Sequence, residues 1–223
     1  VAGRVVVGSE VGFATHPTLY RSDRPVPTIP NLAIHMNREV NKGVEINNQV
    51  DLMPIVDMLP EEQQKSAYFA EFLARELQVA KEDILDFELG TYCIEEPAYI
   101  GIEETMLSAP RLDNQTSVAA LLEAIMMADR KDGINLIALF DHEEIGSRTK
   151  QGAGSMLLRD VVEKIQISLG RDACQVKEAL YQSMLLSVDV AHAMHPNQNQ
   201  KADVTNQPVL NRGFCIKESG NQS

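Results

Sequence analysis

Positive charge is scarce in this sequence. Lys and Arg number 20 against 32 Asp and Glu, a formal charge of −12 over 223 residues. That balance speaks against non-specific nucleic-acid binding, which needs a basic surface. Cysteine is scarcer still: Cys93, Cys174 and Cys215 stand far apart, with no C-x-x-C pair. Neither a disulfide framework nor a thiolate zinc site follows from them. Reduced, buried thiols in a cytoplasmic protein are the expectation. No apolar run approaches the ~20 residues of a membrane-spanning helix, and the first residues lack the layout of a signal peptide. Internal repeats and low-complexity tracts are missing. So is any G-x-G-x-x-G or Walker-type loop, because Gln151-Gly152-Ala153-Gly154 is too short and ill-placed to cradle a nucleotide phosphate.

What is present suits a globular protein. Hydrophobic residues make up 44% of the chain, enough for one or two domains with a core. The chain opens without Met, already inside an alternating pattern, and ends just after an apolar run. A segment of a longer protein is therefore expected.

Residues 1–9 and 18–26 read as strands, followed by Pro25, Pro27 and Pro30, which break regular structure. Tyr68, Phe69, Phe72, Leu73 and Leu77 recur at helical spacing and predict an amphipathic helix over 61–78. Segments 84–92 and 105–109 read as strands. Asp113 or Asn114 can cap a helix running to about Ala128. Further helices are expected over 155–168 and 172–181, and strands over 134–140, 183–190 and 214–217. From about residue 105 the order is helix, strand, helix, helix, strand, which builds a largely parallel, helix-covered α/β sheet. The first hundred residues are mostly strands and loops around one helix. Two domains are expected, 1–104 and 105–223.

The chemistry gathers around Phe140-Asp141-His142-Glu143-Glu144-Ile145-Gly146-Ser147. Two adjacent carboxylates at the mouth of an apolar strand are costly unless a cation lies between them. One carboxylate can then hold metal while its neighbour moves protons. Asp189, in Ser187-Val188-Asp189-Val190-Ala191-His192, ends another apolar run, and Asp113 opens a helix. Open α/β sheets place their sites at the carboxyl ends of strands, so three segments are expected to deliver carboxylates to one edge. Such a site suits zinc, manganese or cobalt. Taken singly, Asp113 reads more readily as a helix cap, and His192 and His195 as structural histidines.

Ala109-Pro110-Arg111-Leu112-Asp113-Asn114, Asp141 to Ser147 and Ser187 to Asn197 resemble the M18 family of metallo-aminopeptidases, the aspartyl aminopeptidase family. Ile29-Pro30-Asn31-Leu32-Ala33-Ile34-His35 and Gly213-Phe214-Cys215-Ile216-Lys217 are similar to the same family, in the same order. The resemblance implies a peptidase using two divalent metal ions, zinc first, that removes N-terminal residues, acidic ones preferred, from peptide substrates. It implies that 1–104 is a β-rich inserted dimerisation domain and 105–223 part of a zinc-peptidase-like catalytic domain, in a homo-oligomer built from dimers. By resemblance Asp113 bridges the metals, Glu144 and Asp189 each bind one, and Glu143 is the general base. His35 would reach a neighbouring subunit's active site and steady the oxyanion, and Lys217 would grip an acidic substrate side chain. The family's two metal-binding histidines fall outside these residues, so weak metal affinity and little activity are expected of this segment alone. A non-catalytic assembly scaffold with a vestigial acidic site is the competing reading.

Overall fold

Three antiparallel strands and one helix make the core of the first unit. Strand β1 (Ala2–Val7) lies between β2 (His16–Arg21) and β3 (Ile84–Gly90). Ala2 pairs with Arg21 on one side and with Gly90 on the other, and the β3 register slips between Val6 and Val7. Gly3 has to be glycine here, because a Cβ would lie 2.1 Å from the Glu88 carbonyl oxygen. Helix α1 (Lys65–Leu77) covers one face of the sheet. Its Phe72 and Leu73 are buried against Val5 and Tyr20, with Phe69 and Leu77 at the margin. The Tyr20 and Phe72 rings meet edge to face, centroids 6.2 Å apart, a favoured geometry. On the opposite face Arg4 and Glu88 pair at 2.6 Å, both exposed, and add little to stability.

The structure, a computed structural model, describes residues 1–8, 16–62 and 65–217. Ser9 of the first predicted strand, and Gln63 and Gln64 of the first predicted helix, lie outside them. The chain divides into two compact units, Val1–Glu96 and Pro97–Ser223. Between β2 and α1 the first unit carries a long exposed segment, held at its base by a bridge between Thr28 and Ile55.

The second unit opens with a hairpin of β4 (Ala98–Ile100) and β5 (Met106–Ser108). Helices α2 (Leu112–Met127), α3 (Leu157–Ser168) and α4 (Ala173–Tyr181) follow. Helix α4 begins with a capping box: the Asp172 carboxylate accepts from the Cys174 and Gln175 amides, and the Gln175 side chain accepts from the Asp172 amide. The mixed α/β character agrees with the sequence reading.

The largely parallel sheet does not form. Every strand pairing among the described residues is antiparallel, and 134–140, 183–190 and 214–217 contain no strand. These runs have the composition of strands but no ladder partner, and a strand exists only by pairing. Their side chains stay largely in solvent, Ile134 at 45% and Leu186 at 74% exposure. The cysteines correct a second expectation. All three are free and exposed, since none falls on a packed face. Among the described residues no helix is long and apolar enough to cross a membrane.

Candidate functional site

Asp113 sits where α2 has not yet become regular. Asp113 (φ −84°, ψ 113°) and Asn114 (φ −115°, ψ 34°) depart from helical geometry, their peptide bond is cis, and Arg111 before them is left-handed. The N-cap position falls to Arg111, which makes no side-chain capping bond, and not to Asp113 or Asn114. The Asn114 side-chain amide instead donates to the Val188 carbonyl at 3.1 Å. That bond ties the first turn of α2 to the segment carrying Asp189. It leaves Asn114 Oδ1 buried without a hydrogen-bond partner. The Asp113 carboxylate is exposed. Asp189 is exposed as well, one of its oxygens accepting from the Val190 amide at 2.7 Å.

Glu143 and Glu144 open a single 3-10 turn, Glu143–Ile145. His142 enters it in the left-handed region (φ 62°) and Gly146 leaves it there too (φ 94°). The loop is fixed by its own bonds. The Gly146 amide donates to the Glu143 carbonyl at 2.8 Å, the Ser147 amide to the His142 carbonyl at 3.0 Å, and the Gly154 amide to the Ser147 carbonyl at 3.0 Å. The His142 Nδ1 lies 2.7 Å from the Thr149 hydroxyl. Gly152 is buried beside Ser147, where a Cβ would come within 2.3 Å of the Ser147 carbonyl oxygen. The short glycine run thus seats this loop rather than a phosphate. Both glutamates remain exposed and project from a backbone that is held on either side.

The remaining candidates are also solvent-facing. His35 stands on a turn of the first unit, where the Met36 amide donates to the Ala33 carbonyl at 2.8 Å. Lys217 is the last described residue and is exposed. His192 is exposed, and His195 accepts the Asn197 amide on Nδ1 at 3.1 Å.

In kind, the carboxylates of Asp113, Glu144 and Asp189 suit a hard or borderline divalent cation. In number they fall short: among the described residues no three His, Cys, Asp or Glu side chains are gathered closely enough to hold one. The residue that sequence reasoning undervalued is Asn114. It reads as a helix cap, and nothing local in the sequence signals a bond to a carbonyl 74 positions away.

Comparison with known proteins places the chain. The family described as aminopeptidase I zinc metalloprotease (M18) matches residues 1–223. A probable M18 family aminopeptidase 2 of Clostridium novyi is 43% identical over 223 residues, covering all of this chain and 52% of that protein. The aspartyl aminopeptidase 4 of Saccharomyces cerevisiae is 35% identical over 257 residues, again all of this chain and 52% of the relative. The chain therefore spans about half the length of the curated relatives it matches. Among solved structures, a chain from the cryo-EM structure of the Ape4 and Nbr1 complex superposes with a TM-score of 0.78 at 31% identity, covering 94% of this chain and 44% of that one. The mApe1 of Chaetomium thermophilum superposes with a TM-score of 0.76 at 27% identity, covering 94% and 51%.

Proposed function

This chain belongs to the aminopeptidase I zinc metalloprotease (M18) family, and from that premise we propose that it serves the metal-dependent removal of N-terminal residues, acidic ones by preference, from peptides. What supports this most directly is the Asn114–Val188 bond, which joins the two segments bearing Asp113 and Asp189. In this reading Asp113, Glu144 and Asp189 would be the residues that hold the divalent ions, Asp113 shared between them. When bound, zinc first with manganese or cobalt as substitutes, the ions would supply the positive charge that acidifies water and polarises a carbonyl. Glu143 takes the proton from the attacking water and passes it to the leaving amine nitrogen. The exposed 3-10 turn leaves this carboxylate open to substrate while its backbone is fixed on both sides.

His35 would act at a neighbouring subunit's site, where a donor to the developing oxyanion lowers the barrier. Lys217 would meet an acidic substrate side chain as a point charge. Residues 1–104 would mediate dimers from which a larger homo-oligomer is built. The competing reading is an assembly scaffold with a vestigial acidic site, and the lack of a three-donor cluster among the described residues stands on its side.

One substitution separates the two. Glu143→Gln in the full-length gene product should lower kcat by roughly 10²–10⁴-fold, the usual contribution of a general base, with the oligomer unchanged in size. Unaltered turnover would remove Glu143 from the chemistry. Wild-type protein that assembles yet hydrolyses no peptide in the presence of added zinc would favour the scaffold.

A further inference from the structure

A cavity of about 300 Å³ opens in the first unit beside α1, at the lower end of the range for small-molecule sites. Its walls are the apolar side chains of Val26, Val56, Phe69 and Phe72, the two rings 5.6 Å apart. Its polar groups carry both signs. The Arg24 guanidinium carbon lies 5.8 Å from the centre of the Phe72 ring. Among the described residues its anionic partner is Glu76, 3.5 Å away, the outer limit of a hydrogen bond. Arg75 also lines the cavity.

The negative group is Asp57. It accepts from the Tyr68 hydroxyl and, at 2.8 Å, from the Met58 amide. Those bonds, Tyr68 first, hold its carboxyl below the ordinary range, so it is anionic at neutral pH. A net anion would be drawn to the arginines but repelled by Asp57 and Glu76. A net cation would meet the reverse. A ligand carrying both charges on adjacent atoms, with an apolar group attached, satisfies all the walls together.

We propose that this cavity binds a free α-amino acid with an apolar side chain. The carboxylate would meet Arg24 and Arg75, the ammonium Asp57, and the side chain the Phe69–Phe72 wall. Every group involved belongs to the unit Val1–Glu96, so the inference stands apart from the acidic residues and the hydrolysis proposed for them.

The test titrates the 223-residue chain with L-phenylalanine by calorimetry, alongside N-acetyl-L-phenylalanine, which lacks the ammonium, and 2-phenylethylamine, which lacks the carboxylate. The expected result is one saturable site with Kd on the order of 1 mM, and each analogue about tenfold weaker or worse. Asp57→Asn and Arg75→Gln should each weaken binding about tenfold, with far-UV circular dichroism unchanged, while Glu143→Gln leaves it intact. Three results would overturn the proposal: no saturation up to about 50 mM, equal affinity for N-acetyl-L-phenylalanine, or unchanged affinity in both variants. A self-association of the chain that Asp57→Asn abolishes, without amino-acid binding, would also overturn it by assigning the cavity to a second copy.

Discussion

The Asn114 side-chain amide and the Val188 carbonyl, 74 residues apart, meet at 3.1 Å. This contact joins two segments whose neighbouring residues, Asp113 and Asp189, are both carboxylates. Asn114→Ala removes the donor and leaves the Val188 carbonyl to find another. Loss of about 1–2 kcal/mol is expected, read as a lowered denaturant midpoint. In the full-length protein it should also weaken metal affinity, read by competition with a chelator. An unchanged midpoint together with unchanged metal affinity would make the bond incidental.

Metal binding by the isolated chain should be weak. With no three donors gathered among the described residues, zinc titrated into it is expected to show no site tighter than micromolar order, well short of a structural zinc site. Little peptidase activity should accompany it. Robust turnover by this 223-residue chain, lost on adding chelator, would contradict both expectations.

The core of the first unit rests on few side chains, and Leu73 is wholly buried among them. Leu73→Ala should cost about 2–5 kcal/mol by lost burial and a residual cavity. Thermal unfolding followed by circular dichroism would report it. A change under about 0.5 kcal/mol, the size expected of surface substitutions, would show that the helix–sheet contact contributes little.

Tyr20 sets an alkaline limit on the same core. Burial, then its hydrogen bond to Glu76 at 3.0 Å, pushes the phenol up to about 12. Its folded pKa thus lies above its unfolded value of 10.0. The stability it contributes is complete below pH 10 and is lost as pH rises through about 12. Phenolate absorbance should show Tyr20 titrating late, alongside Tyr68, whose hydroxyl is raised by its bond to Asp57. Tyr20→Phe should remove its share and flatten the fall in stability over that window. A titration curve unaltered by Tyr20→Phe would refute the assignment.

Much of the local structure was legible because its causes are local. The apolar spacing of Phe69, Phe72 and Leu73 marks α1, and Asp172 marks the start of α4. Likewise β1 and β3 follow from residue type and turn signals. The acidic positions could be picked out as unusual in their surroundings. Their grouping could not, because it depends on contacts such as Asn114–Val188, for which the intervening residues leave no periodic trace.

By itself the sequence decided which segments coil into helices, since a helix closes its hydrogen bonds within a few residues and its caps lie beside it. It also decided the family, because motifs in order survive without coordinates. Tertiary structure decided which of the strand-like apolar runs found a ladder partner. Ala2–Val7 found partners on both sides, whereas Ile134, Leu136 and Leu139 found none and stay exposed. A strand's hydrogen bonds belong to another stretch of chain, and only the folded molecule says whether that stretch is beside it.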